Sequence, residues 1–206
     1  MKPATKIASI SNAASRVRKP QQRGMRSAQK LLDSAATLFV ERGYDETSID
    51  DIVHHAGCAK GTFYHHYESK LALLIALRQR VDDQYQADMD AALAKCTGDD
   101  FPTILDTWVR AACDAYIRIG TLHEVVFSHY PESRWTAGDR RFMKDLIALL
   151  KRGHENRQWA VQVPDLTAAF IFRGMLGVID DRILAGRPLT KIKRDMVVLA
   201  RRAVGL

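Results

Sequence analysis

The sequence predicts an all-α protein, and two features of its pattern support that prediction. Apolar residues recur at intervals of three and four along most of the chain, as they do on one face of a helix. No segment of useful length alternates between apolar and polar residues as a strand does. Of the 206 residues, 47% are apolar and 27% are charged, which is ordinary for a globular protein. No apolar run reaches the roughly 20 residues of a membrane-spanning helix, so we expect no membrane partner.

The first helix is expected to start near Arg23 and to stop at Gly43, because glycine commonly follows the last helical residue. Its helical spacing comes from Leu31, Leu32, Ala35, Leu38 and Phe39. A second, short helix should follow Thr47 or Ser48, either of which can cap its first amides, and it should end at Gly57.

A third short helix is predicted from Lys60 through Tyr67. Two helices joined by a glycine-containing turn within some twenty residues are typical of a helix-turn-helix. We therefore assign residues 23–70 to a three-helix DNA-binding domain.

The remaining sequence predicts a larger helical domain over residues 71–206. Ser69 can cap a long fourth helix that extends towards Cys96, whereas residues 121–138 look less regular. Further helices are expected at about 103–120, 139–157, 164–185 (the eighth) and 190–206 (the ninth). On the helix at 103–120, charges of alternating sign recur every four residues, which indicates a solvated face of paired side chains.

Positive charge is concentrated at the start of the chain. The formal net charge is +7, and the first 30 residues hold eight Lys and Arg but no Asp or Glu. A basic segment of this kind is typical of a protein that binds phosphates, although it is also compatible with a solvated tail. We interpret residues 1–22 as a basic, flexible arm. Three widely spaced cysteines favour reduced thiols and a cytoplasmic protein.

Between Arg26 and Lys70 the sequence resembles the DNA-binding domain of the tetracycline-repressor (TetR) family. The matching residues are Phe39, Gly43, Tyr44, Thr47, Ser48, Ile52, Ala56, Gly57, Gly61, Thr62, Tyr64, His66, Tyr67 and Lys70. Departures from the usual residues, none of which alters charge, occur at Val53, Cys58, Ala59 and Tyr67. The resemblance covers about the first third of the chain, and the rest matches only in length and helix order.

The recognition helix of a helix-turn-helix enters the major groove, where its first residues meet base edges and neighbouring residues hold phosphates. Lys60 can donate to guanine, Thr62 offers a hydroxyl and a methyl group, and Gly61 permits close approach. We expect these three residues to read bases. The residues expected to contact phosphates are Thr47, Ser48, Tyr64, His66 and Lys70. Phe63 and Tyr67 are expected in the core.

For residues 71–206 the resemblance implies a ligand-binding and dimerisation domain, with a four-helix dimer interface made from the eighth and ninth helices of two copies. Two features fit that interface, or equally packing within one chain. They are the small residues Gly174 and Gly177 and the apolar stripe of Ile192, Met196, Leu199 and Ala203. The candidate ligand contacts are Trp108, Tyr116, His123, Phe127, Phe142, Phe170 and Arg173. The aromatic members of that set are equally compatible with plain core.

These observations predict a ligand-responsive transcriptional regulator, most simply a repressor. It would bind a palindromic operator in double-stranded DNA as a homodimer and be released by a small-molecule inducer. One alternative is an architectural protein that binds DNA without sequence preference. Another is a metal-dependent enzyme using His54, His55, Cys58, His65 and His66, but their spacing matches no tetrahedral zinc pattern. We expect no enzymatic activity and no cofactor.

Overall fold

The computed structural model describes the backbone of residues 11–128 and 137–206, and the side chains of residues 24–126 and 141–206. Every regular element within those ranges is an α-helix, which confirms the predicted fold class. The helices are α1 (Ser11–Arg42), α2 (Ile49–Ala56), α3 (Lys60–His66), α4 (Lys70–Leu93), α5 (Phe101–Ile119), α6 (Thr121–Ser128), α7 (Ala137–Glu155), α8 (Pro164–Leu184) and α9 (Ile192–Val204). Over these residues, no helix is long and apolar enough to cross a membrane.

The chain divides into two compact units, Met1–Leu77 and Arg78–Leu206. The division falls inside α4, further along than the boundary expected after residue 70. The N-terminal unit extends into α4 because Leu73, Leu74 and Leu77 are fully buried there. Its core is completed by side chains from the first three helices, namely Leu31, Ala35, Leu38, Phe39, Ile52 and Phe63.

Helix α1 begins at Ser11, well before the start expected near Arg23. The expectation of an irregular arm over residues 1–22 is therefore wrong from Ser11 onward, and residues 1–10 lie outside the described part of the chain. Alanine, glutamine and arginine are favourable helix formers, and they dominate this stretch. Pro20 lies inside the helix although proline has no amide proton to donate.

The C-terminal unit is organised around α5, whose residues Leu105, Trp108, Ala112 and Ala115 are buried. Helix α9 packs along α5 and turns Ile192, Met196, Val197, Ala200 and Val204 into the shared core. Residues 121–128 form α6 directly after Gly120, where the sequence suggested a less regular stretch. Gly120 makes this possible because it adopts a positive φ of 54°, which side chains disfavour.

The charged stripe on α5 pairs with neighbouring helices instead of with itself. Asp106 accepts two hydrogen bonds from the Arg201 guanidinium at 2.8 and 2.9 Å. Asp114 pairs with Lys193 at 2.8 Å, and Arg118 pairs with Asp88 of α4. The expected pairing within α5 is therefore wrong, because two neighbouring helices bring closer partners, but the face is solvated as expected, since Arg110, Asp114 and Arg118 are exposed.

A tight contact joins α7 to the segment that follows it. The Trp159 indole N–H donates to the carbonyl of Leu150 at 2.8 Å, and its ring lies directly over Gly153. A Cβ atom added to Gly153 would come within 2.0 Å of that ring. Glycine is therefore the only residue that lets Trp159 pack in this position.

Candidate nucleic-acid interface

Helix α2 is fixed at both ends by local hydrogen bonds. The Ser48 side chain accepts from the Asp51 amide at 3.1 Å, and the Asp51 carboxylate accepts from the Ser48 amide at 2.9 Å. The Ser48 hydroxyl also donates to the Asp51 carboxylate, and this bond, followed by the one from the Ser48 amide, lowers the pKa of Asp51 more than the nearby Arg42 does. At the other end Gly57 is left-handed, with φ 62°, and ends the helix. The turn into α3 thus follows from residues 48–57 themselves.

Helix α3 rests on one buried side chain. Phe63 is fully buried, and its ring lies 5.9 Å from that of Tyr67. Because Phe63 faces inward, the residues on either side of it along the helix face outward. The face that remains available carries Lys60, Gly61 and Tyr64, which are exposed, and Thr62, which is half-buried.

The side chains expected to read bases are accessible, but Lys60 already has a partner. Its ammonium lies 2.8 Å from the Asp50 carboxylate, which raises the Lys60 pKa through that hydrogen bond. Gly61 faces open space, since a Cβ there would meet no atom within 4 Å. The sequence analysis did not identify Asp50 as the partner of Lys60, because the pairing spans ten residues and depends on the turn geometry.

Two of the expected phosphate contacts remain on the surface. The Tyr64 side chain is 53% exposed, and Ser48 is exposed but already caps α2. His66 is half-buried, with its Nε2 atom 2.8 Å from the Ser27 hydroxyl of α1. Burial, aided by the neighbouring His65, lowers the His66 pKa. His66 therefore ties α3 to α1 as a neutral ring near pH 7.

Thr47 and Lys70 hold the loop between α1 and α2, so their expected role as phosphate contacts needs correction. Thr47 is 1% exposed, and its hydroxyl donates to the Gly43 carbonyl at 2.7 Å. The Lys70 ammonium donates to the carbonyls of Tyr44 and Thr47, both at 2.8 Å, and sits 4.3 Å from the centre of the Tyr44 ring. Both side chains are committed to backbone carbonyls of the loop that follows α1.

The His and Cys residues of this unit do not assemble into a metal site. Among the described residues, no three side chains of His, Cys, Asp or Glu converge as ligands. His65 and His66 contact each other through their rings, with centroids 4.9 Å apart.

Comparison with known proteins identifies this helix-turn-helix. Residues 31–77 match the family model for bacterial regulatory proteins of the tetR family. The HTH-type transcriptional regulator YvdT of Bacillus subtilis is 39% identical over 79 residues, and the HTH-type transcriptional repressor KstR2 of Rhodococcus jostii is 32% identical over 114 residues. These alignments span 38% and 55% of this chain but only 39% and 53% of the two relatives.

Two solved structures share the fold over most of the chain. A putative tetR family regulator from Shewanella sp. PV-4 has a TM-score of 0.71 at 21% identity, covering 87% of this chain and 98% of its own. AibR, solved in complex with isovaleryl coenzyme A and operator DNA, has a TM-score of 0.65 at 20% identity, covering 84% and 97%. Residues 31–77 therefore carry a DNA-binding domain of the tetR family. The matched segment contains α2, α3 and the start of α4, where the candidate DNA contacts lie.

The C-terminal unit contains all seven residues expected to contact a ligand. Trp108 and Phe142 are buried, and each ring contacts Phe172, with centroid distances of 6.3 and 4.7 Å. Phe170 is 73% exposed, so its expected place in an interior pocket is wrong, because the buried face of α8 runs through Ala168, Ile171 and Met175. Arg173 is also exposed. The side chain of Phe127 lies outside the described residues.

Tyr116 and His123 form a polar cluster with α8. The Tyr116 hydroxyl donates to the Asp180 carboxylate at 2.7 Å and lies 3.4 Å from His123 Nδ1. Burial raises the pKa of Tyr116, and the bond to Asp180 adds to that shift. Burial also lowers the pKa of His123 to about 4, with Arg78 acting in the same direction and Asp180 opposing it.

We expect protein stability to fall as the pH drops from 6.5 towards 4. An unfolded His123 takes up a proton near its ordinary pKa of 6.5, whereas the folded protein resists protonation down to about 4. The unfolded state therefore binds more protons in this window, and the folding constant should change by up to about tenfold per pH unit. The free energy of unfolding, measured with urea across this pH window, should depend less steeply on pH in His123→Gln than in the wild type. The exposed control His154→Gln should keep the wild-type dependence. Equal slopes for wild type and His123→Gln would contradict the assignment.

An open groove of about 560 Å³ lies where α4 ends and α5 begins. Its lining includes Ala92, Cys96, Ile104 and the two cations Lys95 and Arg110. The sequence analysis assigned none of these residues to a site, because nothing in their spacing distinguishes them from an ordinary helix surface.

Proposed function

We propose that this chain is a ligand-responsive transcriptional repressor. As a homodimer it binds a palindromic DNA operator, and a small-molecule inducer releases it; it acts without catalysis and without a cofactor. The observation that carries the proposal is the presentation of Lys60, Gly61, Thr62 and Tyr64 on the outer face of α3, within a TetR-family match. KstR2 supports the repressor role by its name, and AibR supports coupling of a ligand to operator DNA.

In the proposed complex α3 enters the major groove. Lys60 would exchange the Asp50 carboxylate for guanine acceptors, Thr62 would contact a base through its hydroxyl or methyl group, and the open side of Gly61 would lie against the bases. Tyr64 and Ser48 would contact phosphates. Thr47 and Lys70 would position the start of α2 through their hydrogen bonds to the loop that precedes it.

Dimerisation through α8 and α9 is supported by apolar side chains that this single chain leaves exposed. On α8 they follow one face, at Leu166, Phe170 and Leu184, the last being 81% exposed. Gly174 and Gly177 lie on that face with open space around them. On α9 the exposed apolar residues are Val198 and Leu199, whereas Ile192 and Met196 of the expected stripe are buried in the chain's own core. Exposed apolar surface of this extent is typical of an interface.

Lys60→Ala should weaken operator binding by about 1 to 3 kcal/mol and relax the preference at one base pair. The operator is first selected from random duplexes, and binding is then measured by fluorescence anisotropy at fixed salt. Lys95→Ala removes the same charge from the C-terminal unit and serves as the matched control. Asp50→Asn frees Lys60 and removes a negative charge, so it should strengthen binding.

Unchanged affinity and base preference in Lys60→Ala would contradict the assigned role. An architectural protein would behave differently, since its affinity for the selected duplex would hardly exceed that for random DNA. The same titrations therefore decide between the two functions.

A further inference from the structure

At least two polar atoms in the C-terminal unit are buried without a hydrogen-bond partner among the described residues. They include the indole Nε1 of Trp108 on α5 and the side-chain oxygen Oε1 of Gln86 on α4. Trp108 is 1% exposed and Gln86 is 8% exposed, so bulk water reaches neither side chain freely. Folded proteins satisfy nearly all buried polar groups, and an exception of this kind calls for an explanation.

Comparable groups elsewhere in the chain are satisfied. The Trp159 indole donates to Leu150 at 2.8 Å. The amide nitrogen of Gln86 itself donates to Asp90 at 2.9 Å, so only its oxygen lacks a partner. The two orphan atoms are one donor and one acceptor, and both belong to neutral side chains.

A continuous set of aromatic rings connects the neighbourhoods of these two atoms. Tyr85, which precedes Gln86, contacts Phe142 with ring centroids 4.9 Å apart. Phe142 contacts Phe172 at 4.7 Å, and Phe172 contacts Trp108 at 6.3 Å. A molecule that inserts among these rings would meet apolar ring faces together with the Trp108 N–H, the Gln86 carbonyl and the Tyr85 hydroxyl.

The buried charges of α4 do not favour a charged ligand. Arg78 and Asp82, two turns and one turn before Gln86, are both buried and lie 4.0 Å apart. Their opposite charges offset each other, so together they bring no net charge to this region. An ionised ligand among the rings would keep an uncompensated buried charge, which is costly.

We propose that the inducer is an uncharged, largely apolar molecule that accepts a hydrogen bond from Trp108 Nε1 and donates one to Gln86 Oε1. This inference rests on the proposed function, because it names the class of molecule that the repressor senses. It also distinguishes this region from the open groove beside α4, whose lining carries charges of both signs on Lys95, Arg110, Asp100 and Asp114.

Three related probes test the proposal with the full chain at pH 7. Methyl 4-hydroxybenzoate is uncharged and carries both an acceptor and a donor, methyl benzoate lacks the donor, and 4-hydroxybenzoate carries a negative charge. Calorimetric titration should show methyl 4-hydroxybenzoate binding at least tenfold more tightly than 4-hydroxybenzoate and several-fold more tightly than methyl benzoate.

Variants then assign the contacts. Trp108→Phe and Gln86→Leu should each weaken methyl 4-hydroxybenzoate binding by about tenfold, the usual effect of losing a buried hydrogen bond to a ligand. The control Trp159→Phe removes an indole that already has a hydrogen-bond partner. The control Gln84→Leu removes an exposed glutamine whose amide donates to Asp88 as that of Gln86 donates to Asp90. Both controls should bind within twofold of wild type, and thermal melting checks that each variant is folded.

The proposal is overturned if the anion binds as tightly as the neutral ester, if folded Trp108→Phe and Gln86→Leu bind like wild type, or if none of the three probes binds up to its solubility. Operator binding is measured separately by anisotropy. If the operator is bound but the ligand preference is not the expected one, only this inference fails. If the ligand preference is as expected but the operator is not bound, the repressor function fails.

Discussion

Phe170→Asp combined with Leu184→Asp is expected to lower operator affinity by about 100-fold or more. Both side chains lie on the exposed face of α8, and a carboxylate buried there on dimerisation would be unpaired. A dimer gains affinity because its second half-site binds at a high effective concentration, and a monomer loses that gain. Sedimentation velocity should report a monomer at concentrations where the wild type is dimeric, and anisotropy should report the loss of affinity.

The matched control places two aspartates at exposed alanines of the same unit, Ala91 and Ala148. Ala91→Asp with Ala148→Asp adds the same charge and should leave both the mass and the operator affinity unchanged. A Phe170→Asp, Leu184→Asp protein that remains dimeric would show that another surface joins the two copies.

Gly153→Ala is expected to reduce the free energy of unfolding by about 2 to 4 kcal/mol. The new methyl group would overlap the Trp159 ring, so the indole must leave its site or the helix must shift. Alanine gains about 1 kcal/mol over glycine within a helix, which offsets only part of this loss. Urea unfolding followed by Trp fluorescence and by circular dichroism measures the change.

Two further variants isolate the cause. Gly61→Ala also replaces a helical glycine, but one that faces open space, so it should not lose stability. Adding Trp159→Phe to Gly153→Ala removes the ring atoms that overlap the methyl group, so the double variant should be more stable than the two separate losses together predict. Additive losses would argue against the contact.

The features predicted well from sequence are those that depend on neighbouring residues. The cap at Ser48, the stop at Gly57 and the burial of Phe63 each follow from a few residues around them. These local signals also carry the family resemblance, which the match at residues 31–77 confirms.

The features missed depend on partners brought together by folding. Lys70 and Thr47 carry donors suited to phosphates, but in the folded chain these donors are hydrogen-bonded to loop carbonyls. Phe170 has the same chemical character as the half-buried Phe172, and only the orientation of α8 separates an exposed ring from one that packs against the core. Periodicity places both on a helix without saying which side faces the core.

The attachment of Lys70 also limits how α4 can move. Its ammonium is fastened to two carbonyls of the loop that leads into α2, and α4 continues as one helix from this residue to Leu93. Sliding α4 along its axis would break those bonds, whereas a pivot about Lys70 preserves them. Lys70 is thus the point about which α4 can pivot. An inducer that moves the far end of α4 would therefore rotate the helix relative to the start of α2 instead of translating it.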